Sequence, residues 1–263
     1  MKLQRHIARV VTLPQPETGF MGAGHTAVAV VTPGDFGRTD PFIMLMDDRV
    51  EPRDGRLGDA HPHAGFETVT FMLEGSVSDR DEGDLEPGDV LWMTAGSGVI
   101  HNEDVVSKGR VRLLQLWLTL PKGDRWAPPA VQRIPLAGVP VRREGGATAR
   151  LYSGRTGDLE SSTANHVPVT MVDIALEAGA AIEQELPAPF NGFLYVIEGS
   201  VRVGGEEQVL AAGQVGWLDR PTGHGTSELR LAAGEQGGRA VLYAGQPTRD
   251  WIASHGPFIA DRR

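Results

Sequence analysis

The chain has 263 residues and a net charge of −9, with 34 glycines, 18 prolines and no cysteine. Its acidic balance argues against nucleic-acid binding through a basic face. Without cysteine there is no disulfide framework, and any metal must be held by nitrogen and oxygen ligands.

The first fifteen residues, MKLQRHIARVVTLPQ, lack the apolar core and small-residue cleavage site of a secretory leader. No apolar run approaches the roughly 20 residues of a membrane helix. A cytoplasmic protein without membrane or nucleic-acid partners is expected. Further on, glycine and proline punctuate short runs of β-forming residues, a pattern that predicts an all-β fold of sandwiches or barrels.

At residues 61–75 the chain reads HPHAGFETVTFMLEG. Alternate residues of a strand share a face, so His61 and His63 project together, and Pro62 biases His61 toward extended backbone. After a turn-rich stretch, TAGSGVIHNE repeats the spacing with His101 and Glu103. If these two strands face each other across a barrel, three imidazoles and one carboxylate converge. Such a donor set suits a divalent ion and leaves positions open for substrate on a five- or six-coordinate metal. A closed tetrahedral zinc site with a purely structural role fits the same residues. Glu67, four residues after His63, turns toward the same interior if the strand is uninterrupted.

The run VRLLQLWLTL (111–120) alternates, with Leu114, Leu116, Leu118 and Leu120 on one face and Gln115, Trp117 and Thr119 on the other. Gln115 is a candidate pocket residue, whereas Met72, Trp92, Met93 and Trp117 read as core. The proline-rich stretch from 121 to 140 reads as a connection. Beyond it FNGFLYVIEGSV (190–201) repeats FETVTFMLEGSV (66–77) at constant offset, and with one residue inserted Gly88 matches Gly213 and Trp92 matches Trp217. A repeat is architecture first. It predicts two tandem β-barrel domains, 1–125 and 126–263. At the same offset His61 falls on Glu185, His63 on Pro187 and His101 on Thr226, with only Glu103 keeping a carboxylate at Glu228. The metal therefore belongs to the first domain, and the nearby His224 makes no second site. His6, His25, His166 and His255 read as surface or capping residues, and PTRDWIASH as a short C-terminal helix.

HPHAGFETVTFMLEG, PGDVLWMTAGSGVIHNE and QLWLTLP together resemble the signature segments of the pirin family within the cupin superfamily, with further likeness in DPFIMLMDD (40–48) and HGPFIA (255–260). The likeness is strong over 40–121 and looser beyond. It implies a bicupin, two antiparallel barrels of the jelly-roll type, with one mononuclear metal in the first. The family's ligands carry over onto His61, His63, His101 and Glu103. The family match gives the ligand carboxylate to Glu103 and leaves Glu67 as a hydrogen-bonding or rim residue behind the ligands. Ala64 stands where the family commonly has arginine, and the turn SDRDEGD (78–84) lacks the usual histidine, with Asp79 or Asp81 near its place. The resemblance implies an Fe(II)-dependent dioxygenase acting on a flavonol such as quercetin, with Glu103 as proton acceptor; manganese, nickel, cobalt, copper and zinc are the alternative metals. The alternative role is a non-enzymatic, iron-dependent redox sensor acting through a protein partner.

Overall fold

The computed structural model describes residues 2–19, 24–51, 60–79, 83–101, 105–107 and 109–261, with 79, 101, 105 and 106 described by backbone alone. The architecture is all-β, as expected. The described helical segments are a single turn at Phe36–Thr39 and two 3-10 turns. Two compact units are present: Pro14–Gly138 with Thr248–Arg263, and Met1–Leu13 with Val139–Pro247. Each unit thus takes the chain end that a cut at 125/126 would give to the other.

Strand pairing explains this exchange. In the site-bearing unit one sheet runs Ala130–Ile134, Val90–Thr94, Phe66–Glu74, Val111–Thr119, Phe42–Val50, His25–Val31, Glu17–Thr18. The expected connection at 121–140 therefore contains an edge strand, Ala130–Ile134, hydrogen-bonded to Val90–Thr94. Proline and glycine around it end the strand without preventing it. In the second unit, Ile7–Thr12 pairs with Gln214–Leu218, and Arg5 anchors that end. Its buried guanidinium donates to Ser227 Oγ at 2.9 Å and to the carbonyls of Pro187, Ala188 and Phe190 at 3.0, 3.0 and 2.8 Å. A buried cation needs such complete pairing to repay its desolvation.

The leucine alternation is observed. Leu114, Leu116 and Leu118 are buried on one face of their strand, with Phe71 and Val69 from the neighbouring strand sharing that face by register. The repeated EGSV also has a physical reason. Gly75 and Gly199 both adopt positive φ, at 70° and 61°, and a Cβ there would lie 2.1 Å from the Arg110 carbonyl oxygen and 2.4 Å from that of Gly237. Only glycine fits both turns.

Residues 247–255 do not form the expected helix. Ile252–His255 pairs with Phe258–Asp261 as a hairpin. A positive φ of 53° at Gly256 favours the turn over a helix. His25 is likewise no surface residue: it is buried, with Nε2 2.7 Å from Asp48 Oδ1.

Candidate metal centre

The two paired motifs form one ladder. His61–His63 runs antiparallel to Val99–His101, with His63 opposite Val99, Pro62 opposite Ile100 and His61 opposite His101. These strands are hydrogen-bonded neighbours rather than walls facing across a barrel. Directly opposed residues of an antiparallel pair share a face, so backbone register puts His61, His63 and His101 on one face, with Pro62 and Ile100 on the other. Ile100 is 75% exposed, as an outward position requires. The His101 side chain, Glu103 and Asp81 lie outside the described residues, as does the Asp79 side chain.

The His61 and His63 rings meet edge to face with centroids 4.6 Å apart. His63 is buried against a pair of aromatic rings, 5.2 Å from Phe66 and 5.6 Å from Trp117, both T-shaped. Phe66 and Trp117 are themselves 4.4 Å apart. Such packing fixes the imidazole's rotamer and so its donor direction. Two imidazoles on one face, with a third histidine directly across the ladder, fit a divalent ion held by nitrogen donors. Trp117 packs against the core cluster of Ile43, Phe66 and Ile259, as expected, and also borders the site.

Glu67 departs from the expected parity. Between His63 and Phe66 the chain passes through Gly65 at φ 86°, which breaks the alternation. Phe66, not Glu67, then shares the histidine side. Alternation within Phe66–Glu74 places Glu67 on the other sheet face, opposite Thr94 and Leu118. There it is fully buried and accepts a 2.7 Å hydrogen bond from Thr94 Oγ1. A glycine inside a strand pattern was the signal for this break.

Beyond Trp117, the same face of the large sheet carries Thr68, Thr70, Gln115, Met44 and Met46. Register places Thr68 and Met44 beside Trp117, and Thr70 and Met46 beside Gln115. Met44, Met46, Thr70, Gln115 and Trp117 are all only partly buried, whereas the leucines between them on the reverse face are closed to solvent. The histidine side of this sheet is thus closed at Phe66, Thr68 and Thr119 and partly open to solvent along Met44, Met46, Thr70, Gln115 and Trp117, which form an accessible wall. On it Thr70 Oγ1 donates to Gln115 Oε1 at 2.7 Å. Met72, Trp92 and Met93 are core residues, as expected.

In the second unit the equivalent strand is Ala181–Pro187, in which Ile182, Gln184 and Leu186 are buried while Glu183 and Glu185 are exposed. The inward positions are therefore Gln184 and Leu186, one residue off the sequence register that aligned Glu185 and Pro187 with the histidines. Glu228 pairs with Lys2 at 3.1 Å, and His224 is exposed.

Comparison with known proteins agrees with this architecture. Residues 25–118 match the pirin family model and residues 171–263 the pirin C-terminal cupin domain. A pirin-like protein of Caulobacter vibrioides is 35% identical over 256 residues, covering 92% of this chain and 88% of its own. A crystal structure from Geobacillus kaustophilus superposes with TM-score 0.87 at 40% identity, covering 95% of this chain and 99% of that one. A quercetin 2,3-dioxygenase from Acinetobacter baumannii superposes with TM-score 0.84 at 27% identity, covering 99% and 93%. The fold is a bicupin, and the chain belongs to the pirin family.

Proposed function

We propose that this pirin is a metal-dependent dioxygenase that cleaves a flavonol such as quercetin with dioxygen, using one divalent metal per chain, Fe(II) in the native state. The observation that carries this reading is the accessible wall of Met44, Met46, Thr70, Gln115 and Trp117 on the histidine side of the sheet. A structural metal needs no such surface, whereas a planar aromatic substrate does. The similarity to the Acinetobacter baumannii quercetin 2,3-dioxygenase supports the same class.

His61, His63, His101 and Glu103 would hold the metal. When bound, it supplies Lewis acidity toward the 3-hydroxyl and 4-carbonyl oxygens of a flavonol and a redox partner for dioxygen. The remaining work falls to the chain. Glu103 accepts the proton of the 3-hydroxyl, leaving an electron-rich enolate. Trp117 offers an aromatic edge to the flavonol plane, and the two methionines adapt to its rings. Because the Gln115 oxygen is engaged by Thr70, its amide N–H group is the donor left for a phenolic oxygen. Dioxygen then adds to the enolate, the central ring opens, and carbon monoxide leaves. A cysteine-free chain suits the reducing cytoplasm, where we place it, and no described helix is long and apolar enough to cross a membrane.

The test is anaerobic reconstitution with Fe(II), followed by the loss of quercetin absorbance and release of carbon monoxide on admitting air. A chain that takes up iron and leaves quercetin and related flavonols intact would overturn the enzyme reading and leave the iron-dependent regulator in its place.

A further inference from the structure

The histidine ladder has a neighbour from the far end of the chain. Ala64, next to His63, forms a parallel bridge with Phe258. Its N–H donates to the Pro257 carbonyl at 3.3 Å, and its own carbonyl accepts from Ile259 N–H at 2.9 Å. The approach leaves no room for a side chain at Gly65, where a Cβ would sit 1.9 Å from the Ile259 carbonyl oxygen. Ile259 is buried with Phe66 and Ile43, and Ile252 and Trp117 pack against the same cluster. The hairpin therefore backs the two rings that hold His63.

This hairpin is fastened at three places. Asp40 accepts from Thr248 N–H at 2.9 Å, Thr248 Oγ1 at 3.1 Å and Arg249 N–H at 2.7 Å. Asp250 accepts from Lys122 N–H at 2.8 Å. At the far end Arg125, fully buried, donates from Nε and Nη2 to Asp261 Oδ1 at 3.2 and 3.0 Å. The same guanidinium reaches Thr119 Oγ1 at 2.9 Å and the Gly65 carbonyl at 3.4 Å. Thr119 is the register partner of Phe66. One cation thus joins the hairpin, the residue two places beyond His63, and the strand that carries Trp117.

We propose that the C-terminal hairpin is part of the frame of the metal centre and that Arg125, through Asp261, is a positioning residue for His63. This inference rests on the reading of His61, His63, His101 and Glu103 as ligands. A buried guanidinium with a fixed fork holds three elements in one geometry in a way that a flexible ammonium does not. Partners that orient ligands from behind typically change metal affinity by roughly 10- to 100-fold when removed.

The experiment uses the full chain with Co(II) as probe. Asp261→Asn removes the charge at constant size, Arg125→Lys removes the fork, Asp261→Glu restores the charge, and Glu160→Gln breaks the exposed ion pair with Arg155 as a control. Co(II) affinity is measured by chelator competition, the ligand field by the visible Co(II) bands, and local opening by hydrogen exchange at Ala64 and Ile259. For Asp261→Asn and Arg125→Lys we expect Co(II) affinity lowered by roughly 10-fold or more, altered visible bands, and faster exchange at both amides. Asp261→Glu should restore the bands, and the control should match wild type. Unchanged bands and affinity in Asp261→Asn overturn the positioning role, and if that variant does not fold, Arg125→Lys decides by the same criteria. If the wild-type chain binds no Co(II), the ligand assignment fails together with the positioning role, and exchange at Ala64 and Ile259 shows separately whether the fastening exists.

Discussion

Replacing Gly65 by alanine tests how closely the hairpin and the histidine ladder are fitted. Two costs can be read from the geometry. Holding an L-residue at φ 86° costs about 1–2 kcal/mol. The new Cβ would overlap the Ile259 carbonyl oxygen, 1.9 Å away, and backbone on that side cannot rotate aside. Relief requires the hairpin to move, losing the Ile259 N–H to Ala64 carbonyl bond, worth about 1 kcal/mol net, and part of the packing of Ile259 on Phe66, worth about another 1 kcal/mol. The sum is about 3–4 kcal/mol, or about 6–16 °C in Tm for a unit of this size. Gly179→Ala is the control: its φ is 81°, but nothing lies within 4 Å of the added Cβ, so it pays the backbone strain alone. Urea unfolding followed by tryptophan fluorescence measures both, and elemental analysis after metal loading reports the site. Gly65→Ala should lose clearly more stability than Gly179→Ala and should be deficient in metal. Equal losses with full metal content would show that the hairpin does not bear on the ladder.

Metal content of the wild-type chain should approach one per chain, and His61→Ala or His101→Ala should be largely apo while His224→Ala is unaffected; a stoichiometry near two would refute the assignment to one unit. Glu103→Gln should retain part of the metal and lose turnover, and Glu67→Gln should keep turnover. The reverse outcome would move the essential carboxylate to Glu67. Burial raises the Asp40 carboxyl above its ordinary value of 3.8, against hydrogen bonds from Thr248 and Arg249. A carboxyl raised on folding stabilises the fold while protonated, so its contribution is complete below about pH 3.8 and is lost as pH rises through the raised value. The unfolding free energy of wild type relative to Asp40→Asn should therefore fall as pH rises from about 3.8 through the raised value, and a rise with pH would refute the assignment.

Much of the site-bearing unit was legible because its signals are local. The alternating leucines of Val111–Thr119 lie on a closed face as their spacing required. The paired histidines fall in register because two short strands carry them with the same parity. Gly75 and Gly199 marked the repeat for a steric reason that operates in both units. What was missed depends on partners distant in sequence or on a single backbone torsion. That Trp117 also borders His63 was missed, because alternation gives its face but not the ring it meets there. Glu67 was given the wrong face because Gly65 resets the strand without changing residue spacing. Gln184, not Glu185, faces inward because an alignment carried from identical turns does not fix parity on the far side of a loop. The edge strand Ala130–Ile134 and the exchanged chain ends have no local signature, since their hydrogen-bond partners lie far away along the chain.

The exchanged ends also impose an order on biosynthesis. A ribosome delivers residues 61–101 early, and the histidines can meet across their ladder then. The segment that backs Phe66 and reaches Ala64 follows only after the whole of Val139–Pro247 has been made. The strand Ile7–Thr12 meanwhile waits for Gln214–Leu218, so neither unit closes vectorially from its first residue. Long-range pairing of this kind slows folding and leaves edges open during synthesis. On the proposed ligand assignment, the metal centre gains its frame only after residues 248–261 have been made, and a translation pause before residue 248 would leave the histidine ladder without the hairpin that backs it.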